Sequence, residues 1–313
     1  MINENIKNIA VFGAGVMGNS IALVFAQYGY NVRLWSRTQK TIDRAVGLIG
    51  STLKSMSEYG RVSEDKIPGI IDRILPTTDL SKAAERADFV LETVAENPDI
   101  KKELFAKLNE LCSKDTVFSS NTSGLNIFDI IEVDNLERVV ITHWFSPASI
   151  IPLVEVVPGE KTSQEVVELT GNILESLEKK PVFLNKFVPA FIVNRIQNAI
   201  NKTFLEMIDN GWAEPSAIDL AIKYTLGIRL PIIGVAQSLD FAGLDLMNKI
   251  NQHLGIKSPF LEEKVNQGLL GTKTSKGIYD YGDRSETEIL GKRDRLFFKM
   301  IAHLEEIKAF EPV

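Results

Sequence analysis

The chain carries one cysteine, Cys112, so no intrachain disulfide can form, which suits a reducing compartment. Cys112 falls in an apolar-periodic stretch, where a small core residue is the expectation. Histidine is nearly as scarce: His143, His253 and His303 are the whole set. No apolar run approaches the length of a membrane span, about 20 residues. A basic excess is also missing. The formal net charge is −6, which does not draw the chain to nucleic acid or to acidic membranes. Internal repeats and low-complexity segments are absent. Asn3, Glu4 and Asn5 lead directly into the first strand-like run, so no signal peptide is expected and a cytoplasmic location is the default. What remains is an ordinary globular composition, 44% hydrophobic and 24% charged, in a chain of 313 residues, enough for two domains.

The N-terminus holds the most specific signal. An apolar run, Ile9 to Phe12, enters Gly13-Ala14-Gly15-Val16-Met17-Gly18 and then a helical pattern from Ser20 to Gln27. The pattern G-x-G-x-x-G gains meaning from this strand-to-helix placement. Gly13 permits the tight turn, Gly15 lets the backbone approach a pyrophosphate, and Gly18 lets helix and strand pack closely. N–H groups at the helix start, around Val16 and Met17, face the anion. An ordinary glycine-rich turn is the bland alternative.

Strand-like runs at residues 9–12, 32–35, 73–76, 89–93, 117–119, 139–143, 153–157 and 181–184 alternate with helical patterns at 17–28, 40–59, 100–112 and 163–177. Such alternation predicts an α/β, Rossmann-type, mostly parallel sheet covered on both faces. The long stretch 41–60 exceeds a minimal crossover and could project as a helical pair with 63–72. After Lys186 the strand signal stops. Helical patterns follow at 190–210, 214–224, 233–255, 259–268 and 286–307, with a break at Ile228-Arg229-Leu230-Pro231. The chain thus divides into a dinucleotide-binding domain, 1–186, and an all-helical substrate and dimerisation domain, 187–313.

An NAD site of this type has a carboxylate about 20 residues beyond the glycines for the ribose 2′-OH. Here the strand Val32-Arg33-Leu34-Trp35 ends in Ser36-Arg37-Thr38, with none. A hydroxyl and a guanidinium can hold a 2′-phosphate that a carboxylate would repel, which favours NADP over NAD. A solvated Arg37 beside a plain NAD site is the competing reading.

Three further segments bring polar groups to strand or helix ends: Ser119-Ser120-Asn121-Thr122-Ser123; His143-Trp144-Phe145-Ser146-Pro147 followed by Pro152-Leu153-Val154-Glu155-Val156; and Phe191-Ile192-Val193-Asn194-Arg195. His143 closes a strand at the end where ligands sit in open α/β sheets. With Thr93-Val94-Ala95-Glu96-Asn97, Lys101 and the ending Gly271 to Tyr279, these segments make the chain resemble the 3-hydroxyacyl-CoA dehydrogenase family, including its short-chain 3-hydroxybutyryl-CoA members, over nearly its whole length.

The resemblance implies His143 as general base for alcohol oxidation and acid in reverse, the role a group titrating near neutrality can fill. It implies that Glu155 fixes the imidazole tautomer, and that Ser123 and Asn194 position the substrate oxygen. Glu96, Lys101 and Asn121 would lie beside the cofactor, although Glu96 and Lys101 read equally as a surface pair. The site is expected in the cleft between the domains, no metal is called for, and a homodimer through the helical domain is implied.

The chain also departs from the family pattern. Trp144 and Ser146 stand in a usual H-F-F-N-P, Pro152 replaces a basic residue before L-V-E, Gly124 replaces a serine, and Phe187-Val188-Pro189-Ala190-Phe191 replaces D-T-P-G-F. Bulk from Trp144 and the lost charge would alter the substrate walls. Lys54, Arg61 and Lys66 are weak support for an acidic pantetheine-nucleotide. A dehydrogenase of a free hydroxy acid therefore stays open, as does a non-enzymatic dinucleotide-binding scaffold. A β-hydroxyacid dehydrogenase using Lys202 lacks a surrounding motif.

Overall fold

The computed structural model describes residues 6–311. The expectation about a signal peptide rests on residues 3–5, which lie outside them. The described chain forms two compact units, Met1–Ala199 and Ile200–Val313. The boundary read from sequence and this one bracket residues 187–199, which carry Asn194.

The first unit is built on eight strands: β1 (Asn8–Phe12), β2 (Asn31–Trp35), β3 (Ile74–Thr77), β4 (Phe89–Glu92), β5 (Val117–Ser120), β6 (Val139–Trp144), β7 (Leu153–Pro158) and β8 (Lys180–Phe183). Their order is β3-β2-β1-β4-β5-β6-β7-β8. Every neighbouring pair is parallel except β6 and β7, which run antiparallel with His143 opposite Glu155. The central strands are apolar on both sides because helices cover both faces. Along β1, Ile9 and Val11 enter one core while Ala10 and Phe12 enter the other, the strand's two-residue alternation.

On the first face lie α1 (Val16–Gln27), α2 (Gln39–Glu58), α3 (Ile67–Asp72) and α6 (Gln164–Ser176); on the second, α4 (Leu80–Ala84) and α5 (Pro98–Leu111). The expected projecting pair does not form. Helix α2 lays Ile42, Ala45, Ile49 and Leu53 into the core, and α3 adds Ile70 to the same core. Those α2 positions share one helical face, so burying it against the sheet wins over projection into water.

Helix α7 (Val193–Asp209) begins in the first unit and ends in the second. The second unit continues with α8 (Pro215–Tyr224), α9 (Leu226–Ala242), α10 (Leu244–His253), α11 (Pro259–Asn266) and α12 (Glu286–Glu306). Two boundaries differ from expectation. The break set at residues 228–231 moves to Gly234, whose φ of 59° interrupts α9. The single helix expected over 233–255 is divided at Gly243, with φ 91°. Glycine enters these left-handed conformations without a Cβ penalty. Buried Asp240 ties down the Gly271–Tyr281 segment, accepting from the N–H groups of Ile278 (2.8 Å) and Tyr279 (2.9 Å) and from the Tyr281 hydroxyl (2.9 Å).

Candidate active site

The glycine turn has the geometry that its sequence requires. Gly13 adopts φ +112°, and a Cβ there would stand 2.6 Å from the Thr93 carbonyl oxygen. A Cβ on Gly18 would lie 1.7 Å from the Gly13 carbonyl oxygen, so helix and turn meet with no room between them. At Gly15 a Cβ would meet no protein atom within 4 Å. The space facing Gly15 is open, the first turn of α1 has neither a side-chain cap nor an acidic residue, and Val16 is exposed. Free N–H groups beside an open backbone are what a pyrophosphate needs, so these residues fit a dinucleotide.

Ser36 is buried at the end of β2, and its N–H donates to the Thr77 carbonyl. Arg37 lines a cavity of about 310 Å³ with Trp35, Val94, Ala95, Ile100 and Leu104, and the same cavity reaches Glu103 and Lys107.

The antiparallel pairing of β6 and β7 brings His143 and Glu155 together. The His143 Nδ1 lies 2.7 Å from Glu155 Oε2. The other carboxylate oxygen accepts the N–H groups of Ile192 and Val193, each at 2.9 Å, at the start of α7. Glu155 is fully buried and His143 is 4% exposed. Burial pushes the Glu155 pKa up, but the hydrogen bonds from His143, Val193 and Ile192 outweigh it and hold the carboxyl below its ordinary value. The imidazole is walled by Phe145 (centroids 4.5 Å) and Phe191 (5.2 Å). With Nδ1 donating to the carboxylate, Nε2 carries the lone pair and can accept a proton.

Ser123 is exposed on the loop after β5, and Asn194 approaches it from α7, its Nδ2 3.4 Å from the Ser123 carbonyl. His143, Glu155, Ser123 and Asn194 all belong to the first unit. Asn121 ties strand ends together: its Oδ1 accepts the Trp144 N–H at 2.8 Å.

Glu96 and Lys101 are not a surface pair. Lys101 is 1% exposed, and its ammonium reaches both oxygens of Glu92, at 2.7 and 2.8 Å, and Glu96 Oε2 at 3.2 Å. Glu96 Oε1 in turn accepts the Thr122 hydroxyl (2.6 Å) and the Ser123 N–H (2.8 Å). Glu92, fully buried at the end of β4, was not singled out by sequence. The available signal was a carboxylate ending an apolar strand, which has to find a partner.

Trp144 does not stand in a substrate wall. It is 3% exposed and packs toward Phe25 of α1, because successive residues of a strand face opposite sides and His143 takes the other. Gly124 lies against the Ala190 backbone, where a Cβ would be 3.7 Å from the Ala190 nitrogen. Ala190 and Phe191 both adopt positive φ, 64° and 51°. Lys54, Arg61 and Lys66 are solvent-exposed, as is Lys202. Cys112 is half-buried at the end of α5, and burial pushes its thiol up to about 12.

Comparison with known proteins agrees with this architecture. The chain is similar to the 3-hydroxybutyryl-CoA dehydrogenase of Clostridioides difficile, 33% identical over 282 residues, 87% of this chain and 99% of that protein. It is similar to the 5-formyl-3-hydroxy-2-methylpyridine 4-carboxylate 5-dehydrogenase of Mesorhizobium japonicum, 28% identical over 298 residues, 93% of this chain and 96% of the relative. Among solved structures, a 3-hydroxyacyl-CoA dehydrogenase from Archaeoglobus fulgidus matches with a TM-score of 0.80 and 27% identity, covering 96% of this chain and 99% of that one. The family model for the NAD binding domain of 3-hydroxyacyl-CoA dehydrogenase matches residues 8–187, and that for its C-terminal domain residues 191–281. With the glycine turn, the His143–Glu155 contact and both domain models in one chain, the protein belongs to the 3-hydroxyacyl-CoA dehydrogenase family.

Proposed function

We propose that the chain oxidises the 3-hydroxyl of a short 3-hydroxyacyl-CoA and runs the reduction in reverse, with His143 as general base and acid. The observation that carries this reading is the 2.7 Å contact between His143 Nδ1 and Glu155 Oε2. A bound nicotinamide supplies the hydride acceptor. His143 Nε2 takes the hydroxyl proton as the carbonyl forms, and Glu155 stabilises the resulting imidazolium without itself taking the proton. Ser123 and Asn194 position the substrate oxygen. Gly13 and Gly18 shape the turn so that Gly15 and the N–H groups at Val16 and Met17 would hold the pyrophosphate, and Glu96 and Asn121 shape the nicotinamide side. His143→Gln should abolish turnover of acetoacetyl-CoA with reduced cofactor while cofactor binding survives; retained turnover refutes the assignment.

A second reading, a free hydroxy acid without CoA, draws on Pro152 in place of a basic residue and on the Mesorhizobium relative, whose name describes a free pyridine carboxylate. A panel of 3-hydroxybutyryl-CoA against free 3-hydroxy acids separates the two. For the cofactor, Arg37 on the wall of its cavity and the missing carboxylate after β2 support NADP over NAD. Arg37→Asp should weaken NADP use and strengthen NAD use; unchanged or better NADP use in the variant ends this idea. We also propose a homodimer through the helical unit, whose surface exposes Leu205, Leu220, Val235 and Leu246. Sedimentation as a monomer at every concentration would contradict it.

A further inference from the structure

We propose that Glu92 is a positioning residue for the reaction: through Lys101 it fixes Glu96, and through Glu96 it fixes the Ser123 peptide. The inference rests on the proposed role of Ser123 in holding the substrate oxygen. The contacts form one unbroken series. Glu92 accepts Lys101 Nζ on both oxygens (2.7 and 2.8 Å), the Ser120 hydroxyl on Oε2 (2.6 Å) and the Val94 N–H on Oε1 (2.7 Å). The third ammonium direction goes to Glu96 Oε2 at 3.2 Å. Glu96 Oε1 then holds the Thr122 hydroxyl and the Ser123 N–H, at 2.6 and 2.8 Å. The ends of β4 and β5 and the first turn of α5 are thereby locked to the loop that carries Ser123.

Two features argue that this is more than packing. Glu92 and Lys101 are almost completely buried, at 0% and 1% exposure. A buried ion pair returns little net stability over well-packed apolar side chains, so stability alone gives no reason for ions here, whereas a fixed direction for Glu96 does. Glu96 is the member that reaches outward, with 42% of its side chain exposed. Lys101 directs all three of its donors to carboxylates and has none left for a cofactor. Its expected place beside the cofactor becomes an indirect one, exerted through Glu96.

Glu92→Gln keeps the volume and removes the charge, and in either orientation its NH2 group faces Lys101, which frees the ammonium from one of its acceptors. It should lower kcat with acetoacetyl-CoA, or with the best substrate of the panel above, by about tenfold through misplacement of Ser123. Cofactor Kd should change by a smaller factor than kcat, since the glycine turn is untouched and only the nicotinamide side is reached, through Glu96. In a Ser123→Ala background the same substitution should cost less than about twofold more, because the two act on one interaction. Unchanged kcat, or losses that multiply fully in the double variant, would overturn the proposal. Should Glu92→Gln fail to fold, Ser120→Ala deletes one donor to Glu92 together with the acceptor of the Thr122 N–H and leaves the ion pair; its smaller loss must likewise vanish in the Ser123→Ala background. Full activity of Glu92→Gln beside an inactive His143→Gln defeats this inference alone, whereas an active His143→Gln defeats the dehydrogenase reading itself.

Discussion

Replacing Glu155 by glutamine tests the centre of the proposed chemistry, because the structure allows the amide only one orientation. The Glu155 Oε1 position faces two N–H donors, from Ile192 and Val193. An NH2 group cannot face two donors, so the amide oxygen must stay there and the NH2 must face His143 Nδ1. Nδ1 then becomes an acceptor, the ring proton moves to Nε2, and Nε2 can no longer take a proton from the substrate hydroxyl. The carboxylate that would stabilise the imidazolium is lost as well. The corresponding change in a Ser-His-Asp triad lowers kcat about 10⁴-fold through the wrong tautomer. A loss of about 10³ to 10⁴ is expected here, about 4 to 5.5 kcal/mol of transition-state stabilisation. Stability should fall by only about 1–3 kcal/mol, since the hydrogen bonds persist with an uncharged acceptor. Initial rates from the absorbance of the reduced nicotinamide, with circular dichroism to verify the fold, measure both. The equilibrium constant does not depend on the enzyme, so kcat/KM must fall by the same factor in both directions. Activity within tenfold of wild type in a folded variant would refute the tautomer argument.

Other substitutions separate local roles. Gly15→Ala has a compatible φ of −71° and open space at the Cβ, so stability should hold or rise by about 0.4–1 kcal/mol while cofactor affinity falls; unchanged affinity by fluorescence titration would remove Gly15 from the pyrophosphate site. Gly18→Ala overlaps main chain at 1.7 Å and should cost about 3 kcal/mol or more in chemical denaturation. Trp144→Ala should cost about 3–5 kcal/mol with substrate KM little altered; an intact melting temperature with a large KM change would return Trp144 to the substrate wall. Glu155 and Glu96 both have folded pKa values below the ordinary 4.5. The unfolded chain therefore binds more protons, and their contribution is present above that value and lost as pH falls through the depressed ones. The difference in denaturation midpoint between wild type and Glu96→Gln should be largest near neutrality and shrink as pH falls below the ordinary carboxylate value of 4.5; a difference that grows on acidification would reverse the assigned direction.

All eight strands read from the sequence are present. They were legible because a strand covered on both faces is an apolar run ended by turn residues. The glycine turn was legible because each glycine answers to a separate steric demand. Elements set by tertiary contact were not. The five-residue α4 is too short for a periodic signal and depends on its Asp79 cap, which accepts from Ser81 and Lys82. The kink at Gly234 lies three residues beyond Pro231, because the glycine supplies the left-handed conformation there. Glu92 and Lys101 are nine residues apart and meet only because the chain turns from β4 into α5. No sequence spacing announces such a pair. Trp144 could have been placed correctly from strand alternation alone, since its neighbour His143 already claims the opposite face.

The change of strand direction between β6 and β7 is what makes the proposed chemistry possible at this position. In a parallel pair the chain leaves and returns through a crossover, and partners are fixed by distant packing. In the antiparallel pair of β6 and β7, His143 and Glu155 are register partners, and directly opposed residues project to the same face with Cβ atoms about 4.5–5.5 Å apart. A carboxylate and an imidazole fill that gap with one hydrogen bond, so the strand pairing holds the contact with no loop involved. The second oxygen of Glu155 is then free to receive the first N–H groups of α7, the helix that carries Asn194. One buried carboxylate thus fixes both the imidazole and the helix end that carries Asn194, the two groups the proposed chemistry requires. Displacing the register by one residue would turn Glu155 to the far face of the sheet and leave the imidazole and the helix end both without their acceptor.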